Sequence, residues 1–250
     1  MMKCFVINGS PRLKNTWSMV KEVENVMSSL GDVEFDEIHL KNMKIPFCNG
    51  CFNCILNGED KCPNFDIIKD IARKFEESDC IILSSPVYVL GPTGLMKNLL
   101  DHFAYYYHRP RLFNKKALVL VSTQGSGMKD VENYLKKSLY NFGVNKVYTC
   151  SFRFGGKDKL DSKMKKSLDN VASNFFMDVS SKKLHSPSFY QVRNYSMWRA
   201  MAHNKTILID SKFWIENGME DKIFAPGIPM NILKKLYAKL IFIFFNSLFS

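Results

Sequence analysis

Five short apolar segments alternate with helix-patterned segments across the first 180 residues, and this alternation limits the possible folds more than any other feature. Lys3–Asn8, Val33–Leu40, Cys80–Ser84, Ala117–Ser122 and Lys146–Phe152 read as strands, most of them apolar on both faces and so buried. Between them, Thr16–Leu30 carries Val20, Val23, Met27 and Leu30 at helical spacing and stops at Gly31. Asp66–Glu76, Leu95–Tyr107, Met128–Phe142 and Leu160–Val179 repeat the pattern. Strands alternating with helices form a parallel sheet covered on both faces. The expectation is an α/β fold, a doubly wound five-stranded parallel sheet over residues 1–180, with a mostly helical extension over 181–250. A chain of 250 residues with 46% hydrophobic content can bury such a core.

In a doubly wound sheet, ligands sit beyond the carboxyl ends of the strands, where the strand order reverses. Three polar, glycine-containing loops fall there. The first, Asn8 to Thr16, offers Ser10, Arg12, Asn15 and Thr16 at a helix start, donors suited to a phosphate. It lacks both G-x-G-x-x-G and a G-K-[ST] motif, so a phosphate monoester fits better than a dinucleotide or a triphosphate. The competing reading is an ordinary helix start capped by Asn15 or Thr16. The second loop, Ser84 to Gly94, contains Pro86, Val87 and Tyr88, which can lie against a planar heterocycle. In the third, Ser122 to Gly127, glycines permit close backbone approach.

Four of seven cysteines fall between Cys48 and Cys62, spaced C-x2-C-x2-C-x7-C with Pro63 following. Two-residue gaps let successive thiolates reach one ion, and thiolates favour soft metals. The spacing suits a cubane iron–sulfur cluster better than a zinc ribbon, which brings two separated C-x2-C pairs. Metal-free thiols and disulfides remain alternatives. The first seven residues hold too short an apolar stretch for a signal peptide, so a cytoplasmic setting is expected, where disulfides are rare. Cys4, Cys80 and Cys150 lie in strand-like runs and read as small buried hydrophobes.

Gly9-Ser10-Pro11-Arg12 with Asn15-Thr16, the four-cysteine array, Ser85-Pro86-Val87-Tyr88 and the Lys97…Asp101 helix together resemble the iron–sulfur flavoproteins, a branch of the flavodoxin-like NAD(P)H-dependent FMN reductases. The resemblance implies a flavodoxin-like fold with FMN phosphate at Ser10, Arg12, Asn15, Thr16 and the Trp17 amide. It places the isoalloxazine against Pro86, Val87 and Tyr88, with Thr123, Gly125 and Gly127 closing the other side. It further implies a 4Fe-4S cluster on Cys48, Cys51, Cys54 and Cys62, carried by the loop 47–63, and homodimers or homotetramers. Family members often carry an Asp-Asp pair after the fourth cysteine; here only Asp66 stands.

With such cofactors no catalytic side chain is required. His39, His102, His108, His185 and His203 are scattered and read as structural, while Arg109 is a candidate contact for an anionic substrate. The formal charge of +11 comes from dispersed lysines without a basic block or a nucleic-acid-binding motif, so no nucleic-acid partner is expected. Two functions follow: an NAD(P)H-dependent FMN oxidoreductase acting on a small acceptor, or a carrier exchanging electrons with a ferredoxin-type protein. A flavin-free regulatory or zinc-binding module would require all three loops to be coincidental. The last segment, residues 230–250, pairs apolar residues with Lys234, Lys235 and Lys239. It reads as an amphipathic helix that docks on protein or touches a membrane surface, too short in apolar run to span one.

Overall fold

The strands are β1 (Met2–Asn8), β2 (Val33–His39), β3 (Cys80–Pro86), β4 (Lys116–Thr123) and β5 (Lys146–Arg153). In this computed structural model, which describes residues 1–249, they form one parallel sheet in the order β2-β1-β3-β4-β5. The chain runs outward from β1 to β2 and then returns to the other side of β1, so the order reverses between β1 and β3. The register pairs Asn8 with Ser84 and Pro86 with Ser122, bringing the loops after β1, β3 and β4 to one edge.

Strand alternation assigns side chains to two cores. Phe5, Ile7, Ile81, Leu83, Val119 and Val121 face α4 (Phe65–Glu77), α5 (Gly94–His102) and α7 (Met128–Asn141). Cys4, Val6, Ile82, Leu118 and Leu120 face α1 (Asn15–Leu30) and α8 (Ser162–Ser180). Cys80 and Cys150 join the second core. Burial raises the Cys4 thiol pKa well above its ordinary value, as befits an inert apolar filler.

The segment Leu95–Tyr107 is two helices rather than one. α5 ends at His102, and α6 (Tyr105–His108) begins after Phe103 and Ala104 donate to carbonyls three residues back. That tightening turns Phe103 and Tyr106 into an aromatic cluster with Phe75 and Phe142, centroids 5.1 to 6.5 Å apart. The region between β2 and α4, read as a plain loop, contains α2 (Leu40–Met43), α3 (Asn53–Leu56) and a 3-10 turn at Glu59–Lys61.

Beyond α8 lie α9 (Phe189–His203), α10 (Leu208–Glu216) and α11 (Ile232–Phe249). α9 starts at Phe189 because Ser188 and Gln191 form a reciprocal capping box. The extension has its own small core around Val192, Tyr195, Trp214 and Phe224. No helix is long and apolar enough to cross a membrane among the described residues.

Candidate cofactor cleft and cysteine loop

At the β1/β3 reversal a cleft of about 410 Å³ opens between the strand-end loops. It gathers Ser10, Arg12, Asn15 and Thr16 from the first loop, Pro86, Val87 and Tyr88 from the second, and Thr123 and Gly125 from the third. Trp17 and Gly127 do not line it. The Trp17 ring instead packs edge-on to His39, centroids 4.5 Å apart, with the Lys21 ammonium 4.6 Å from its centroid. Gly127 is the seam between two loops: at φ +85°, an added Cβ would lie 2.9 Å from Val87 Cγ1 and 3.1 Å from the Leu90 Cα.

The first loop is held by local geometry. Ser10 N–H donates to Asn8 Oδ1 at 3.0 Å, and the Ser10 hydroxyl donates to the Arg12 carbonyl at 2.7 Å. Lys14, not Asn15 or Thr16, occupies the position before α1, and no side chain caps the helix. Asn15 Nδ2 donates to the Lys157 carbonyl at 3.0 Å, and Thr16 Oγ1 lies 2.6 Å from Ser122 Oγ. The first-turn amides of α1 therefore face the cleft side of the sheet without a side-chain acceptor, which is the arrangement that binds phosphate. Arg12 beside them is exposed and makes no ion pair among the described residues.

Thr93 ties the second loop to the first. Its N–H donates to Ser85 Oγ at 3.1 Å and its hydroxyl to the Gly9 carbonyl at 2.7 Å, while it also caps α5. Tyr88 and Gly91 exchange backbone hydrogen bonds across a tight turn in which Val89 (φ 48°) and Leu90 (φ 63°) are both left-handed. A β-branched residue in that region is a strained outlier, and such strain concentrates at ligand-contacting loops. Val89 is fully exposed at the tip. In the third loop Thr123 Oγ1 accepts from Gly125 N–H at 3.1 Å and donates to the Ser126 carbonyl at 3.0 Å.

Sequence reading missed the fourth wall. Phe154 and Asp158, from the segment after β5, complete the cleft, and Gly156 N–H donates to Gln124 Oε1 at 2.7 Å. The Gly155-Gly156 pair at a strand end was the available signal.

The cysteine loop rests on α5, the helix that Thr93 starts. Asn98 accepts from Cys48 N–H at 3.0 Å and donates to the Ile45 and Pro46 carbonyls, while His102 Nε2 lies 2.8 Å from the Pro46 carbonyl. All four cysteines are free thiols, with Cys48 and Cys51 exposed. Burial, followed by the neighbouring Cys62 and Cys48, pushes the Cys54 thiol up to about 11; Arg109 pulls the other way, and Cys51 adds to the rise. Cys48, Cys51 and Cys62 are thus near enough to act on Cys54. No group of three or more Cys, His, Asp or Glu side chains is gathered tightly enough to hold one metal ion among the described residues.

Arg109 is not a substrate contact. It is 1% exposed, and its guanidinium donates to the carbonyls of Cys54 and Ile55 and pairs with Asp210 and Glu59. His108 Nδ1 lies 2.9 Å from the other Asp210 oxygen, and Trp214 Nε1–H donates to the His108 carbonyl at 2.8 Å. Arg111 pairs with Glu59 at 2.9 Å. Although burial alone would raise it, these two arginines hold the Glu59 carboxyl below its ordinary value. A cation buried after α6 therefore fastens the cysteine loop to α10 of the extension.

The family model for NADPH-dependent FMN reductase matches residues 2–157. An iron-sulfur flavoprotein of Archaeoglobus fulgidus is 31% identical over 226 residues, covering 87% of this chain and 99% of that protein. An iron-sulfur flavoprotein of Clostridioides difficile is 26% identical over 200 residues, covering 76% and 84%. Among solved structures, an NADH:FMN oxidoreductase in its apo form superposes with a TM-score of 0.55 at 20% identity, covering 72% of this chain and 91% of that one.

Proposed function

The chain belongs to the NADPH-dependent FMN reductase family, within its iron–sulfur flavoprotein branch, and from that premise we propose that it is an FMN-dependent oxidoreductase drawing electrons from NAD(P)H for a small acceptor. The observation carrying this reading is the uncapped start of α1 beside an unpaired Arg12, at the point where the strand order reverses. A phosphate monoester dianion matches that positive end in charge and donor geometry. Arg12, Ser10, Asn15 and Thr16 would hold the phosphate, together with the Trp17 backbone amide, whose ring lies outside the cleft. Pro86, Val87 and Tyr88 would lie against the isoalloxazine, with Thr123 and Gly125 as the facing loop, while Gly127 keeps the second and third loops in contact. When bound, FMN supplies exchange between two-electron donors and one-electron acceptors.

Cys48, Cys51, Cys54 and Cys62 would hold an iron–sulfur cluster, which supplies a one-electron relay. Their close sequence spacing and their free-thiol state support this donor set. A second reading, an electron carrier for a ferredoxin-type protein, is favoured by the exposure of the loop that bears them. Phe47 (85% exposed) and Phe52 (61%) stand beside exposed Cys48 and Cys51, an apolar surface suited to a docking protein.

The test is an absorption spectrum, with iron and acid-labile sulfide assays, on anaerobically purified protein, followed by nicotinamide oxidation kinetics. Bound FMN and saturable NADH or NADPH oxidation with a small acceptor are the expected result. FMN and iron without nicotinamide turnover would transfer the reading to the carrier. Protein that binds no FMN would remove both.

A further inference from the structure

Helix α11 is anchored along one side and bare along the other. Ala238 is buried against α9, the Arg199 guanidinium sits 4.1 Å from the Phe242 ring centroid, and Tyr237 meets Phe189 edge-on at 5.2 Å. Asn204 Nδ2 donates to Asn246 Oδ1 at 2.9 Å near the carboxyl end. These contacts present the helix in a fixed orientation. At 100° per residue, Leu233, Leu236, Leu240, Ile243, Phe244 and Leu248 share the opposite arc, and each is more than half exposed. An apolar face of that extent, held open on a rigid helix, implies an occupant.

Charge identifies its kind. At the same spacing Lys239 borders one margin of the arc and Lys234 the other, with Lys235 further round towards the anchored side; none of the three is in an ion pair among the described residues, and Lys234 Nζ donates to the exposed Ser186 Oγ at 3.0 Å. No Asp or Glu occurs from Lys222 to Phe249. A second copy would bring its own +11 charge and an equally lysine-bordered arc, with no carboxylate from this segment to meet either. An anionic lipid surface offers apolar depth for the arc and phosphates for the lysines in one plane. The helix cannot cross a bilayer, so it would lie along it.

We propose that α11 is an in-plane membrane-surface helix that seats the protein on anionic bilayers, with the Leu236–Leu240–Phe244 arc in the acyl boundary and Lys234 and Lys239 at the headgroups. The cofactor cleft is not involved, and the proposal stands whether or not FMN binds.

The full-length protein is floated with vesicles of phosphatidylcholine alone or of equimolar phosphatidylcholine and phosphatidylglycerol, and its mass in solution is measured by light scattering. Wild type is expected to float with the anionic vesicles and to be released by high salt. Leu240→Glu/Phe244→Glu, at exposed positions, should abolish flotation with the helical circular dichroism unchanged. Lys234→Gln/Lys239→Gln leaves the apolar arc intact and should weaken binding by more than tenfold, about fivefold per lysine; it carries the test alone if the glutamate variant misfolds. Wild type that ignores anionic vesicles overturns the proposal. So does a wild-type dimer that the glutamate substitutions dissociate, which would assign the arc to a second copy.

Discussion

The cofactor cleft and the cysteine loop lie on opposite ends of α5's influence and are built differently. The cleft consists of short loops, each springing from a strand end and bonded within itself and to the neighbouring strand-end loops: Ser10 to Asn8, Gly125 to Thr123 and Tyr88 to Gly91 within loops, Thr93 to Gly9 and Thr16 to Ser122 between them. Once the sheet forms, little else is needed. The cysteine loop also closes its own turns, as where Leu56 N–H donates to the Phe52 carbonyl and Cys62 N–H to the Glu59 carbonyl, but it does not spring from a strand end. It is held from Asn98, from Arg109 and, through Asp210, from a helix about 150 residues further along the chain. The cleft is thus a property of the sheet, whereas the cysteine loop depends on the extension as well.

Breaking the loop's anchor should give the largest effect. Arg109→Ala leaves Asp210 buried without its cation, and removing one partner of a buried pair costs about 3–5 kcal/mol. Urea unfolding should register that loss, and hydrogen exchange should show the segment 48–62 released, while the folded protein still binds FMN. A loss below about 1 kcal/mol would mean that the loop does not rely on this anchor.

On the cleft side, Arg12→Ala removes a charge-assisted contact worth about 1.5–3 kcal/mol, so FMN affinity should fall more than tenfold at little cost in stability. Calorimetric titration with FMN measures it; iron content per chain should not change, and a parallel fall in iron would merge the two regions. Gly127→Ala tests the seam between loops. A left-handed backbone and a contact at 2.9 Å should together cost about 1–3 kcal/mol and weaken FMN about tenfold or less.

The smallest expected effect is acid-dependent. The arginines hold the folded Glu59 carboxyl below its ordinary value, so its contribution to stability is present above the unfolded value, near 4.3. That contribution fades as pH falls through the lower, folded value. Wild type should melt above Glu59→Gln at about pH 6, and the two should converge below about pH 4; equal melting at both would place Glu59 outside the anchor.

Much of the sheet was legible because buried parallel strands are continuous apolar runs, as in Cys80–Leu83, and amphipathic helices carry their period openly. The short helices of the cysteine loop left no such trace. α2 and α3 have four residues each, too few to show a periodicity, and α3 is held by Arg109 through the Cys54 and Ile55 carbonyls. Arg109 was misread because an arginine after a short aromatic helix gives no sign of burial; only the folded chain brings Asp210 and Glu59 to it. α11 was readable as amphipathic, but which face would dock was not. The packing on α9 selected Ala238 and Phe242 and left the leucines outside.

The sequence by itself determined the strand–helix alternation, the family's loop motifs and the four-thiol donor set, because each is encoded within a few neighbouring residues. Tertiary structure decided where Arg109 points, how the cysteine loop is secured and which side of α11 meets solvent. Those outcomes depend on charges and surfaces up to a hundred residues apart, and only the folded chain brings them into contact.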